Sequence, residues 1–426
     1  MRIKYIDVLK AVAITAVVLY HAGLMSYGYL GVDLFLVIAG YLTTKSLSKK
    51  VLNTEESRCG YMRFELSRIN RLLPLLLLAG FACMIAGYFT MLPDDYENLS
   101  QSVIASNFFG NNILATITTS NYWDITNEFK PLMHTWYVGL LMQFYLVYPV
   151  LFYLAKLNKQ NPKGTLLTMV ASLAFISLLT YFATPRAAYR FYLLPSRFFE
   201  FAVGGIAALV YNPDQHKPFG KGFVYVCYVL LLALLFINVK LIPGSIRLVA
   251  VAGLSCVLLC SQNVLENKLS GNAILVSIGA ASYSIFIWHQ IVLAFCRYRF
   301  TSNFTVGCYI LLLALTVLLA WLSYSFIEKA SEEALKTKRG KTIFYTMMLA
   351  AFLGLTAFAG MIYMRAGVVR DIPELNVSKD DIHHGDSRGL LNEEGEDEVK
   401  TSTTGLDERM TRGAGREERN KNMLDV

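Results

Sequence analysis

Charged residues are scarce in this sequence. Only 16% of the 426 residues are Asp, Glu, Lys or Arg, whereas 55% are hydrophobic. A soluble domain of ordinary composition carries about a quarter charged residues, so an ordinary soluble protein is excluded. Apolar runs close to the roughly 17–25 residues that span a bilayer recur along the chain. The sequence therefore predicts a polytopic membrane protein surrounded by membrane lipids.

Cysteine patterns typical of metal sites and of small secreted scaffolds are also missing. The seven cysteines lie mostly inside apolar runs and show no paired spacing. Cys256 and Cys260 are four residues apart on one predicted helix, which favours a role in core packing. We predict no metal site. No internal repeat is obvious, which argues against the transporters that are built from inverted repeats.

The net charge of +8 is unevenly distributed along the chain. Residues 370–426 contain 9 basic and 15 acidic residues, which leaves a net charge of +14 on the remainder. In a membrane protein such an excess marks cytoplasmic loops, so it does not indicate nucleic-acid binding. The Lys- and Arg-rich segment 45–71 is predicted to be cytoplasmic and the acidic segment 93–133 external. The N-terminus is then cytoplasmic and the C-terminal tail extracytoplasmic.

Eleven apolar runs predict transmembrane helices. The weakest are 31–47 and 197–212, because they are short and carry Asp33 or Glu200. We expect an all-α bundle of about ten helices plus an eleventh, divided into a transmembrane domain (1–335), an additional helix and exit (336–375) and a polar tail (376–426). The tail has almost no aromatic residues and should be disordered. The runs lie near 8–25, 31–47, 72–92, 134–156, 165–184, 197–212, 222–239, 246–262, 274–296, 304–327 and 342–364.

Three of the six histidines lie inside or at the rim of predicted membrane helices. Ionisable side chains are costly in hydrocarbon, so these residues are candidates for function. The predicted topology places all three at one outer depth, together with three further ionisable residues. The six are His21, His134, His289, Asp33, Arg197 and Glu200.

A carboxylate beside an imidazole fixes its tautomer and raises its basicity, so Asp33 is a candidate partner for His21. Simpler explanations remain open for several of these residues. Asp33 could be stabilised by the dipole of its own helix. Arg197 and Glu200, three residues apart, could simply pair.

A second set of ionisable residues lies at the predicted inner face. Lys10 precedes His21 by eleven residues, which places both on one stripe of the first helix with a rise of about 16 Å. Arg68 and Arg71 are three residues apart and share a helix face. Guanidinium groups grip phosphates with two hydrogen bonds, so this set suits a phosphorylated cytoplasmic donor. Positive-inside topology alone explains much of the same charge.

In these residues and in the order in which they follow one another, the chain resembles the membrane-bound acyltransferase-3 family. These are bacterial O-acyltransferases that acetylate cell-surface polysaccharides and lipopolysaccharides. The resemblance rests on the Lys10 and His21 pair and on six ordered segments. They are GYLGVDLFLVIAGYL (28–42), SRINRLLP (67–74), HTWYVGLLMQFYLVYP (134–149), PSRFFEF (195–201), SYSIFIWHQ (282–290) and SYSFIEK (323–329).

The resemblance implies O-acetyl transfer from acetyl-CoA to a glycan or lipid-linked sugar acceptor at the bacterial cytoplasmic (inner) membrane. It leaves open the sugar, the acyl chain length and whether a covalent histidine intermediate forms. His21 is expected to be the general base, oriented by Asp33. The expected catalytic residues are His21, Asp33, His134, Glu200 and His289. Lys10, Arg68 and Arg71 are expected to hold CoA, and Trp136, Arg197, Tyr283 and Trp288 to bind substrate.

The sequence departs from the family pattern at two places. The basic residue of the first helix is usually Arg but is Lys10 here, and many members have a Glu pair where this chain has Leu141 and Met142. Many relatives with an eleventh helix also append a hydrolase-like domain. About 40 residues follow the Gly385-Asp386-Ser387 triplet, too few for such a domain, so we expect none in this chain.

A proton-coupled or glycan transporter is the alternative hypothesis. In it, the same intramembrane His, Asp and Glu residues would form a proton relay. It predicts accumulation of substrate without acetyl-CoA and loss of activity when the proton gradient collapses. A purely structural membrane subunit is disfavoured by the polar residues inside the predicted bundle.

Overall fold

The computed structural model describes residues 3–52, 59–119, 125–211, 219–237, 242–261, 271–300 and 304–368. These residues are largely helical and contain no β-strand. The predicted tail, residues 376–426, lies outside them. The helices are α1 (Lys4–His21), α2 (Gly31–Leu47), α3 (Cys59–Thr90), α4 (Pro93–Asn107), α5 (Asn111–Thr118), α6 (Trp136–Lys156), α7 (Pro162–Ala183), α8 (Ala187–Tyr192), α9 (Leu194–Val210), α10 (Lys221–Phe236), α11 (Gly244–Leu259), α12 (Ala273–Ala280), α13 (Ser282–Phe300), α14 (Val306–Ser323), α15 (Lys329–Ala334) and α16 (Lys338–Met364).

Short 3₁₀ and π-helical turns extend several of the helices. A 3₁₀ turn, Gly28–Leu30, precedes α2 and another, Met133–Thr135, precedes α6. A π-helical turn, Ser48–Leu52, continues α2, and Tyr324–Glu328 joins α14 to α15. These extensions lengthen the segment around Asp33, which the sequence had marked as a weak span.

Apolar residues fill the interior of the bundle and also cover its outside. Inside, Phe144 of α6 stacks on Phe201 of α9 with 4.0 Å between ring centroids and 8° between planes. Outside, α7, α10 and α14 each carry rows of large exposed apolar side chains, such as Phe175, Val229 and Leu311. Apolar surface of that extent marks contact with a membrane in a protein of this kind. The multi-pass membrane character that the sequence predicts is therefore confirmed.

The predicted count of ten or eleven spans is not confirmed. Every predicted run overlaps a helix, but only seven helical segments in the described part of the chain are long and apolar enough to cross a membrane. An eighth is the pair α12–α13, which bends by 68°. Three of the predicted spans are not among these segments. Helix α1 carries three charged residues in its 18, and α10 and α11 have only 16 residues each. The seven segments are Gly28–Leu52, Gly60–Thr90, Met133–Lys156, Pro162–Ala183, Ala187–Val210, Val306–Ala334 and Lys338–Met364.

Helices α2 and α9 touch through their backbones. An atom at the Cβ position of Gly40 would lie 1.9 Å from the carbonyl oxygen of Phe201, and one on Gly204 would lie 1.9 Å from that of Val37. Small residues let membrane helices approach this closely and gain van der Waals packing. The two glycines therefore set the distance between the helix that carries Asp33 and the helix that carries Arg197.

Replacing Gly40 with alanine is expected to destabilise the protein. The added methyl group would force α2 and α9 apart, and such overpacking typically costs about 1–3 kcal/mol. The matched control is Gly253→Ala in α11, where no atom lies within 4 Å of the new Cβ. Thermal unfolding in detergent measures both variants. A Gly40→Ala midpoint equal to that of Gly253→Ala would contradict the close crossing.

Candidate active site

The structure brings the three membrane histidines together. His21 ends α1, His134 lies in the 3₁₀ turn before α6, and His289 lies in α13. The ring centroids of His21 and His289 are 5.2 Å apart, and those of His134 and His289 are 5.5 Å apart. His289 therefore stands between the other two, and the cluster joins three separate parts of the chain.

The three imidazoles differ in their burial and hydrogen bonding. His134 and His289 are only 2% and 1% exposed, whereas His21 is half-buried. The Nδ1 atom of His289 lies 3.2 Å from the carbonyl oxygen of Ile285. A carbonyl only accepts, so Nδ1 carries the proton and Nε2 is left as the basic nitrogen. Among the described residues, that Nε2 has no hydrogen-bond partner, whereas the imidazole of His134 interacts with the backbone of Ile287 and Pro131.

Arg297 supports this cluster and was not predicted from the sequence. Its guanidinium donates a hydrogen bond to the backbone carbonyl of His21, the last residue of α1. The same group lies 3.7 Å from the carboxylate of Glu128. Seven residues earlier on α13, Gln290 lies 3.4 Å from the carbonyl oxygen of Lys130. An Arg directly after the predicted run 274–296, seven residues from a Gln and hence on the same helix face, was a usable signal.

Asp33, Arg197 and Glu200 form a separate buried ion triad. The guanidinium of Arg197 lies 2.5 Å from the carboxylate of Asp33 and 2.9 Å from that of Glu200. All three residues are at most 1% exposed. Among the described residues, Asp33 forms its hydrogen bond with Arg197 and not with His21. In this geometry Asp33 does not orient the imidazole directly, so the expected carboxylate–imidazole pair is replaced by an ion pair between α2 and α9.

The basic residues predicted to hold CoA line one cavity. Its volume is about 110 Å³, and Lys10, Arg68 and Arg71 lie in its wall. Lys10 also lies 3.3 Å from the carboxylate of Asp7. The guanidinium of Arg68 sits over the ring of Tyr145, 5.0 Å from its centroid. The aromatic contact holds the guanidinium in place beside the cavity.

The far side of this cavity approaches the histidines. Tyr137 and Phe286 are part of its wall, and their ring centroids are 5.2 Å apart. The ring of Phe286 in turn lies 5.2 Å from that of His134 and 5.6 Å from that of His289. A single aromatic layer therefore separates the basic cavity from the histidine cluster.

The residues predicted to bind substrate take different positions. Tyr283 lines the basic cavity, and its hydroxyl donates to the carbonyl of Leu72 at 2.8 Å. Trp288 is buried and donates from Nε1 to the hydroxyl of Ser323 at 2.7 Å. Trp136 is buried against Phe191, with ring centroids 4.7 Å apart.

Arg197 lies over the same Phe191 ring, 5.2 Å from its centroid. A stack of Trp136, Phe191 and Arg197 therefore connects the segment that carries His134 to the buried ion triad. In this arrangement Trp136 and Trp288 pack within the bundle, while Tyr283 faces the cavity.

Polar side chains from α4 and α5 hold the turn that carries His134. The hydroxyl groups of Ser106 and Thr135 are 2.7 Å apart, and the amide of Asn111 donates to the Thr135 hydroxyl at 2.7 Å. The same amide donates to the carbonyl of Leu132 at 2.8 Å. Both helices lie in the segment 93–133, which the sequence had marked only as an external loop.

The fold and the site define a multi-pass helical membrane protein with a buried histidine cluster and an adjacent basic cavity. Residues 3–325 match the acyltransferase-3 family, described as an acyltransferase domain, and the chain belongs to that family. The resemblance drawn from the sequence motifs is thus confirmed. Among the described residues no group of three or more His, Cys, Asp or Glu side chains has the geometry to hold a metal ion.

Curated relatives carry acetyltransferase names. The O-acetyltransferase OatA of Staphylococcus aureus (strain NCTC 8325 / PS 47) is 27% identical over 352 residues, which cover 76% of this chain and 56% of that protein. The "Putative O-acetyltransferase SACOL0978" of Staphylococcus aureus (strain COL) is 28% identical over 351 residues, covering 77% and 57%. The matched part is thus little more than half the length of these relatives. No solved structure shows a significant match to the chain. The transporter alternative receives no support from these comparisons.

Replacing Arg197 with alanine is expected to destabilise the bundle strongly. It would leave the Asp33 and Glu200 carboxylates buried without a counter-charge, and breaking a buried pair in this way costs about 3–5 kcal/mol. Unfolding midpoints of the purified variants in detergent measure the effect.

Lys336→Ala is the matched control for this prediction. It breaks a pair with Glu333 at the same three-residue spacing, but these side chains are 66% and 73% exposed. Exposed pairs contribute about 0–1 kcal/mol. If the two variants shifted the midpoint equally, the ion triad would not be a structural element of the bundle.

Proposed function

We propose that this protein is an integral membrane O-acyltransferase. It moves an acetyl group from cytoplasmic acetyl-CoA to a hydroxyl of a cell-surface or lipid-linked glycan, in the bacterial cytoplasmic (inner) membrane with the N-terminus inside. The observation that carries the proposal is the basic cavity that ends one aromatic layer from three clustered histidines. Membership of the acyltransferase-3 family and the names of the relatives support the reaction class.

The basic end of the cavity suits the phosphate groups of the donor. Arg68 and Arg71 present guanidinium forks that can each grip a phosphate with two hydrogen bonds, and Lys10 adds a point charge. From Lys10 to His21 helix α1 rises by about 16 Å. An acyl donor bound by its phosphates at this end would extend its thioester along the cavity towards Phe286 and the histidines.

The histidine cluster supplies the proton chemistry of the transfer. In our proposal His21, the most accessible of the three, accepts the proton of the acceptor hydroxyl as its oxygen attacks the thioester carbonyl. The new C–O bond forms, the C–S bond breaks, and the CoA thiolate takes the proton from the imidazolium. His134 and His289, whose ring centroids are 5.5 Å apart, stabilise the charge that develops. Arg297 fixes the end of α1 and thereby the position of His21.

The buried ion triad has a supporting role in this proposal. Arg197 pairs with the carboxyl groups of both Asp33 and Glu200 between α2 and α9. The stack of Trp136 and Phe191 on Arg197 extends that rigidity to the His134 turn. A catalytic site requires such fixed surroundings to keep its groups in productive geometry.

Replacing His21 with alanine is expected to slow acetyl transfer by about 10²–10⁴-fold, the usual contribution of a general base. The assay uses protein in liposomes, labelled acetyl-CoA and the exported glycan as acceptor. Val18→Ala, one turn earlier on α1 and also partly buried, is the matched truncation and should retain activity. Transfer at the wild-type rate by His21→Ala would remove His21 as the base.

Replacing both Arg68 and Arg71 with lysine is expected to raise the KM for acetyl-CoA about tenfold while changing kcat much less. The substitutions keep the positive charge but lose the bidentate hydrogen bonding of each guanidinium to phosphate. Arg63→Lys, on the same helix but outside the cavity lining, controls for membrane topology. An unchanged KM in the double variant would assign these arginines to topology alone.

A further inference from the structure

A second cavity lies on the other side of the His134 turn. Its volume is about 410 Å³, and it lies between the end of α3, helices α4 and α5, residues 129–133 and Tyr298 of α13. All of these except Tyr298 belong to, or adjoin, the acidic segment 93–133 that the sequence predicts to be external. Nothing in the proposed donor chemistry uses this cavity.

Neutral polar groups dominate the polar part of its wall. They are the side chains of Asn98, Gln101, Ser102, Asn111 and Thr118. Amides and hydroxyls both donate and accept hydrogen bonds, as do the hydroxyls of a sugar. The wall has one acidic residue, Asp95, and one basic residue, Lys130, so no charge of one sign prevails. The rest of the wall is largely apolar or aromatic. A surface of both kinds suits an uncharged ligand that has hydroxyl groups and apolar C–H faces better than a polyanion.

Tyr298 gives the cavity a fixed aromatic wall. Its hydroxyl donates to the carboxylate of Asp95 at 2.6 Å and accepts the backbone N–H of Leu92 at 3.0 Å. Because both hydrogen bonds are made by the hydroxyl, they hold the ring in the wall. Phe129 adds a second aromatic side chain. The apolar C–H face of a pyranose packs well on such rings, while its hydroxyls reach the polar groups around them.

The cavity shares a wall with the histidine cluster. Residues 130–133 line it, and His134 follows directly in the chain. Asn111 of the cavity wall also bonds Thr135, the residue after His134. On the other side, the Lys130 carbonyl accepts from Gln290, the neighbour of His289. A ligand in this cavity therefore touches the segment that positions His134.

We propose that this second cavity is a glycan-binding subsite, which holds uncharged sugar units that flank the acceptor hydroxyl. The inference rests on the proposed acyl transfer for its role in the reaction, but the binding itself can be measured without any donor. It assigns Gln101, Ser102 and Tyr298 to acceptor recognition and leaves the basic cavity to the donor.

The test fills the cavity from α4. Ser102→Trp places a large ring in it. Gln101→Leu removes an amide at nearly constant side-chain volume, so it still tests the cavity if Ser102→Trp fails to fold. Glu97→Trp is the control, since it lies about 140° around the same helix from Ser102 and outside the cavity lining. The probe is de-O-acetylated envelope glycan from the cell that makes the protein, used in a donor-free binding assay and in the liposome transfer assay.

We expect Ser102→Trp to weaken glycan binding and raise the acceptor KM at least tenfold, and Gln101→Leu about threefold, with Glu97→Trp within twofold of wild type. If the wild-type protein acetylates the glycan and both cavity variants keep its binding affinity and KM, the subsite is refuted and the acyltransferase function stands. Binding that Ser102→Trp abolishes, without acetyl transfer by any protein, would keep the subsite and refute the proposed reaction. A wild type that neither binds nor acetylates the glycan would refute both.

Discussion

The ion pair between Arg197 and Asp33 sits at the crossing on which the rest of the structure depends. The two residues are 164 positions apart in the chain, and each would be prohibitively costly in hydrocarbon alone. Their ion pair, which Glu200 joins from α9, fixes α9 against α2. Gly40 and Gly204 make this possible, because only glycine lets the two backbones touch. Charge pairing and close packing therefore specify the same helix–helix contact.

Around that crossing the ionisable groups separate into three sets with distinct physical roles. The ion triad is fully buried, and its two carboxyl groups share one guanidinium between two helices. In the histidine cluster, Nε2 of His289 has no hydrogen-bond partner among the described residues, which is costly for a buried polar atom unless a substrate uses it. The cationic set of Lys10, Arg68 and Arg71 opens into a cavity. This separation into an ion triad, a histidine cluster and a cationic cavity suits the proposed transfer between the two sides of a membrane.

Much of this could be predicted from the sequence, because hydropathy and depth depend on local composition. The approximate positions of the apolar helices followed from hydropathy, and the predicted topology singled out His21, His134 and His289 by placing them at one depth. The partner of Asp33 did not follow from the sequence, since His21 is near in sequence while Arg197 approaches only through the glycine contacts of α9. Helices α4 and α5 were also missed, because their many polar residues look like a loop until Ser106 and Asn111 are seen to bind Thr135.

The central claim is that donor and acceptor act from opposite sides of one site, and sidedness tests it most directly. Protein would be reconstituted in one orientation, with acetyl-CoA supplied on either face and the glycan only on the face opposite the Lys- and Arg-rich loops. The account predicts acetylated glycan when acetyl-CoA is on the basic face and none when it shares the face of the glycan. Acetylation only when both are on the same face would contradict it.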